Sequence, residues 1–225
     1  ILPTGIRFGP EGALYASDWI FGWDTKNYGR IWKIDVDEKE NDLKAEREQT
    51  KQYIQQDYAK QSLTQLYDLL FYADQRVRLK AQYELAERKA TDIFVKAVQQ
   101  KENQLARVHG IWGLGQIKAA ASIQPLLADS DEEIVAQAAK VVGDIFDASA
   151  TDQLIPLVRS TNPRISFFAA QALGRNRSEK AIPALLKLVE TNADKDLYLR
   201  HAAVLALSRI GQAEPMLALQ HSPNR

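Results

Sequence analysis

Two groups of side chains in this 225-residue sequence have the types and spacing that could do chemistry. Asp18, Trp19, Trp23 and Asp24 cluster in one short stretch. Carboxylates held in a loop supply hard oxygen ligands for calcium, and indoles beside them could enclose a flat cofactor. The same four residues could instead cap a turn and cover an open sheet face. The second group is Arg78, Arg107, Arg164 and Arg200, with His109 and His201 close behind two of them. A row of guanidinium groups along one face could take an acidic protein partner. It could equally be a structural ladder in which each Arg meets an acidic residue of the next unit. His109, His201 and His221 are too scattered for a local metal motif, so no metal ligand is assigned. Packed or solvated imidazole is their ordinary role; an axial ligand to a metal centre is the sharper one. No G-x-x-x-x-G-K-[ST], H-E-x-x-H or G-x-S-x-G stretch occurs, so no catalytic residue is assigned.

Those side chains need elements to hold them, and composition narrows which. Lys+Arg and Asp+Glu are both 29, giving zero formal charge, so the basic excess of a nucleic-acid binder is missing. The chain has no cysteine, which excludes disulfides, thiolate zinc sites and c-type haem attachment within it. No stretch reaches the ~20 apolar residues of a membrane span. The chain starts at Ile1 without an initiator Met and ends on Ser222-Pro223-Asn224-Arg225, so a piece of a longer protein is expected.

Residues 1–36 hold three of the four Trp and five of the eleven Gly. Thr4 to Phe8, Ala13 to Ser17 and Gly29 to Ile34 read as short strands, with Gly9-Pro10-Glu11-Gly12 as the first turn. The expected element is a three-stranded antiparallel meander, which needs something to cover it. Residues 37–60 are charged and Gln-rich and read as a solvated helical linker whose thin apolar stripe is Tyr53, Ile54 and Tyr58.

From residue 61 to 225 a two-helix unit repeats. Helix A then helix B run Leu63–Leu70 and Arg76–Ala86, Ile93–Gln100 and Leu105–Ile117, Ile123–Ala128 and Glu132–Phe146. The fourth pair lies within Asp152–Arg175, the fifth is Ala181–Val189 with Leu197–Ile210, and Pro215 to Leu219 starts a truncated sixth. The apolar anchors Leu85, Leu114, Val142, Leu173 and Leu207 are 29, 28, 31 and 34 residues apart. A period near 30 with two amphipathic helices per unit predicts a mainly α fold, an α-solenoid. Small residues before each anchor let neighbouring helices approach, and Asp131 and Asn162 are placed to cap helix B.

Two resemblances follow from these residues. PTGIRFGPEGALYASDW leading to GRIWKI resembles the last blade of a β-propeller of the glucose/sorbosone dehydrogenase type. The helical pairs resemble short HEAT-like repeats, a type also found in phycobilin lyases. Their order resembles bacterial propeller–HEAT–cytochrome c proteins of the haem-binding, membrane-bound dehydrogenase type. That resemblance implies a periplasmic or exported parent protein with haem c or a quinone cofactor outside this segment. It also implies a non-catalytic scaffold that links the two modules or docks a protein on its concave face. The alternative it implies is a dehydrogenase in which the Asp18–Asp24 loop contributes to a cofactor or calcium site.

Overall fold

The computed structural model describes residues 3–19, 29–37, 39 and 42–217. Three strands, β1 (Pro3–Phe8), β2 (Leu14–Asp18) and β3 (Arg30–Ile34), form an antiparallel meander in that order. The first turn closes with Gly9 N–H on the Ala13 carbonyl, and Gly12 takes φ +82°, where a Cβ would strain the backbone. The register aligns Phe8 with Leu14 and Leu14 with Ile34, and Ile6 with Ala16 and Ala16 with Trp32. One face is therefore apolar. It stays largely open: Phe8 is 66% exposed, Ile6 59% and Ile34 56%.

Helix α1 (Lys44–Gln55) follows the sheet and has no fully buried residue. Its Tyr53 and Ile54 rest on the helical core, as the thin stripe predicts. Two arginines tie the sheet to the helices. Arg47 donates to the Glu11 carbonyl at 2.7 Å, and Arg76 to the Gly9 carbonyl at 2.8 Å.

The helical pairs form an α-solenoid. The A helices are α2 (Leu63–Leu69), α4 (Thr91–Gln99), α6 (Ala120–Ile123), α8 (Thr151–Leu157) and α10 (Ile182–Asn192). The B helices are α3 (Gln75–Glu87), α5 (Gln104–Gln116), α7 (Glu132–Asp144), α9 (Pro163–Arg175) and α11 (Leu197–Ile210). A short α12 (Glu214–Leu217) begins the next unit. The third helix A differs from its expected run over Ile123–Ala128. Helix α6 ends at Ile123 and continues as a tighter 3₁₀ turn over Gln124–Ala128, where Pro125 removes a backbone donor.

Each helix B starts and stops by the same device. Asp74, Asn103, Asp131, Asn162 and Asp196 accept a backbone N–H of the first turn. At the other end, Ala90, Ala119, Asp147 and Ser178 donate N–H groups back to the carbonyls of Leu85, Leu114, Val142 and Leu173 at 2.9–3.1 Å. That bond requires the residue four past each anchor to be left-handed. Lys89, Lys118, Phe146 and Arg177 have φ between 49° and 58°, and Gly211 has 79°. The anchors themselves are buried, so one position sets both core packing and helix end. All five pairs share a single continuous core.

Candidate interaction surface

In three of the five units the fourth residue after the B-helix cap has the same task. Arg78 donates to the carbonyls of Tyr72 and Ala73 at 2.7 and 2.6 Å, just past α2. Arg107 donates Nε–H to the Val98 carbonyl of α4 at 2.8 Å. Ser166 donates its hydroxyl to the Val158 carbonyl, which ends α8, at 2.7 Å. These carbonyls have no intrahelical partner, so the position closes the end of helix A. Arg78 and Arg107 are 6% and 4% exposed and spend their donors inside the chain. Arg200 stands at the same position in α11 but is exposed, with Asp194 at 3.1 Å. Arg164 lies two residues earlier in the register. It is exposed, 3.1 Å from Glu133 of α7, and its guanidinium sits over the Phe168 ring. The expected row is thus two rows, and the buried one faces the A helices.

His109 also lies inside, 2% exposed. Its Nε2 accepts from Arg78 Nε–H at 3.1 Å, so Nδ1 carries the proton and donates to Gln82 Oε1 at 2.7 Å. Gln82 passes its amide N–H on to Gln116 Oε1 at 3.0 Å. Burial, then the Arg78 charge, pushes the imidazole pKa down to about 4, so it is neutral near pH 7. Arg107 completes a buried pair with Asp129, Nη2 to Oδ2 at 2.5 Å. Burial acts against the Asp129 carboxylate, but hydrogen bonds from Arg107 and from the Asp131 backbone, with the Arg107 charge, outweigh it and hold its pKa below the ordinary value. Of the six sequence candidates for partner binding, Arg164, Arg200 and His201 are exposed to an incoming molecule.

At the other end of the molecule, Asp18 closes β2 opposite Arg30 and is buried. The Trp32 indole N–H donates to its Oδ2 at 3.0 Å, which turns the carboxylate along the sheet. Trp19, next to it, is partly exposed. Trp23 and Asp24 lie outside the described residues. No group of three or more His, Asp or Glu placed to hold a metal ion occurs among the described residues.

A groove of about 780 Å³ crosses α3, α5, α7 and α9 on their open side. Its walls carry Tyr83, Trp112, Phe146 and Phe168. The Trp112 indole donates to Gln137 Oε1 at 2.8 Å, and Gln137 donates to Glu133 Oε1 at 2.8 Å. The His109 ring meets the Trp112 ring edge-on at 5.1 Å. Trp112 is therefore fixed from both sides. Tyr83 and Phe146, 53% and 68% exposed, are large apolar surfaces left to solvent.

Residues 123–208 match the family model described as HEAT repeats. No curated protein matches the chain by sequence. Among solved structures, the chain is similar to the complex of CpcE and CpcF of phycocyanin lyase from Nostoc sp. PCC7120. The two are 20% identical, with 70% of this chain and 67% of that chain covered, at a TM-score of 0.55. An engineered protein shares 21% identity over 72% of this chain and 90% of that one, at 0.47. Human deoxyhypusine hydroxylase in complex with glycerol shares 16% over 66% and 62%, at 0.45. At such identities the likeness concerns the fold alone.

Within the HEAT-like units, sequence reasoning missed the groove. A signal was present: Lys89, Lys118, Phe146 and Arg177 recur four residues after the anchors, always large or charged where Gly would be easiest. Two of them, Lys118 and Phe146, line the groove.

Proposed function

We propose that this chain is an interaction scaffold whose HEAT-like stack presents the groove across α3, α5, α7 and α9 to a protein partner. The observation that carries it is the pair of exposed aromatics, Tyr83 and Phe146, on a surface that Trp112 and its hydrogen bonds hold rigid. Rigid aromatic surface is what interface centres are made of, because little conformational freedom is lost on contact. The concave-face partner is a domain of the same parent protein or a separate chain.

The finer reading places the scaffold in an exported bacterial redox protein. There it links a propeller of the glucose/sorbosone dehydrogenase type to a cytochrome c module, with haem c or a quinone held outside this chain. The open apolar sheet face at Phe8, Ile6 and Ile34 supports this reading, since a propeller blade needs a neighbour on that side. The second reading makes the Asp18–Asp24 loop part of a cofactor or calcium site; it rests on Asp18 being buried and oriented by Trp32.

Two measurements separate them. The coding sequence on both sides of this segment should encode further blades upstream and Cys-x-x-Cys-His downstream; absence of both refutes the redox parent. Calorimetric titration of the chain with calcium should show no binding if it is scaffold only. Binding that Asp18→Ala abolishes would establish the second reading instead.

A further inference from the structure

We propose that the groove across α3, α5, α7 and α9 docks an acidic peptide segment that carries a bulky apolar side chain. The inference rests on the scaffold reading and names the partner's chemistry.

The chain as a whole carries no net charge, so any imbalance in the groove is local. Three cations line it, Lys118, Lys140 and Arg164. Its one lining carboxylate, Asp144, is already bridged by Lys140 and by Arg175 of α9. Lys118 is exposed and has no ion-pair partner among the described residues. Arg164 is shared with Glu133 yet keeps half its side chain in solvent. The C-terminal ends of α5 and α7 bring about half a negative charge each, which the lysines beside them more than offset.

Three kinds of partner can be compared on that surface. A basic segment meets cations and finds no free carboxylate. A neutral apolar segment covers Tyr83 and Phe146 but strips water from Lys118 and Lys140 without replacing it. An acidic segment gives Lys118 the counter-charge it lacks and adds to the one Lys140 has in Asp144, while its apolar side chain beds between the aromatic rings. Only the last satisfies both halves of the groove, and the charges set the choice of partner more than the strength of binding.

The test is selection of short random peptides displayed on phage against the intact chain. The expected result is enrichment of sequences rich in Asp and Glu around one aromatic or aliphatic residue. Peptides made from that consensus should weaken about tenfold on the pair Lys118→Glu and Lys140→Glu, with circular dichroism melts to confirm that the variant folds. If the pair does not fold, binding to the unaltered chain should still loosen by a similar factor as salt is raised. Phe146→Ala should weaken binding without changing that salt dependence. A basic or neutral consensus that Phe146→Ala weakens would overturn the acidic specificity and leave the docking groove standing. Enrichment indifferent to all three substitutions would overturn the placement in the groove. No enrichment at all would overturn both the specificity and the scaffold reading of this surface.

Discussion

Replacing Gly174 or Gly143 with Ala sets two effects of opposite sign against each other. In an exposed helix interior Gly→Ala stabilises by about 1 kcal/mol, because Gly loses more backbone freedom. Here the new methyl has nowhere to go. At Gly174 it would stand 2.5 Å from the Cα and 2.8 Å from the Cβ of Ala206 in α11. At Gly143 it would stand 2.7 Å from the Cα of Ala172 in α9. Carbon pairs settle at about 3.5–4.0 Å, so the two helices must separate by about 1 Å. The obstacle is backbone, which no rotamer change relieves. Overpacking of this kind costs about 1–3 kcal/mol, which exceeds the propensity gain. The expected net loss is up to about 2 kcal/mol, or several degrees in melting temperature for a chain of this size. Gly115 is the internal control, since its methyl meets mainly one Val141 side-chain carbon. Gly115→Ala should fall nearer zero. Thermal and urea melts of the three variants give the order directly. A Gly174→Ala protein more stable than the parent would refute the close approach and the repeat register built on it.

Three further outcomes follow from the buried polar groups and the helix ends. His109 has its folded pKa depressed to about 4, so its contribution is complete above pH ~6.5 and is lost as pH falls toward 4. The unfolding free energy from urea melts should fall between pH 7 and 4.5, by up to about 3 kcal/mol at the acid end, and a flat profile would contradict the neutral tautomer. Asp129→Ala strands the Arg107 guanidinium in the core and should cost about 3–5 kcal/mol, whereas Glu133→Ala, which frees an exposed Arg164, should shift stability by less than about 1 kcal/mol; equal effects in chemical denaturation would contradict the burial of the first pair. Arg177→Gly relieves a left-handed residue at φ 49° on an exposed turn and should raise stability by up to about 1 kcal/mol, with a lowered melting temperature counting against the cap geometry.

The architecture was readable because it repeats. Anchor spacing, small residues and cap residues all state the same period, and the five anchors are the residues that the structure buries. The roles of the arginines were not readable from that period. Arg78, Arg107, Arg164 and Arg200 look alike in composition, but their distances from the cap differ by two residues in one case. A shift of two residues turns a helical side chain through about 200°, enough to move Arg164 from the core to the surface. Nor could the sequence say that Arg78 and Ser166 do the same job, since an arginine and a hydroxyl share only the ability to donate. Most of the groove escaped because its residues come from four helices, and only Lys118 and Phe146, each four past its anchor, share a repeat position.

The same register explains why one arginine of the buried row is exposed. Counting four, eight and twelve residues from the caps gives Val135, Ala139 and Gly143 in α7, and Ser166, Ala170 and Gly174 in α9. All six are buried, because the next helix B lies against them. The equivalents in α11 are Arg200, Val204 and Ser208, and all three are exposed. Arg200 differs from Arg78 and Arg107 in what covers it, with the same chemistry and the same place in the repeat. Polar residues at the two outer positions and a single β-branched residue between them make a surface that tolerates water and could also accept another helix. Among the described residues no further helix B lies against this face of α11, and Arg200 pairs there with Asp194 at 3.1 Å, where Arg78 and Arg107 reach the carbonyls that follow helix A.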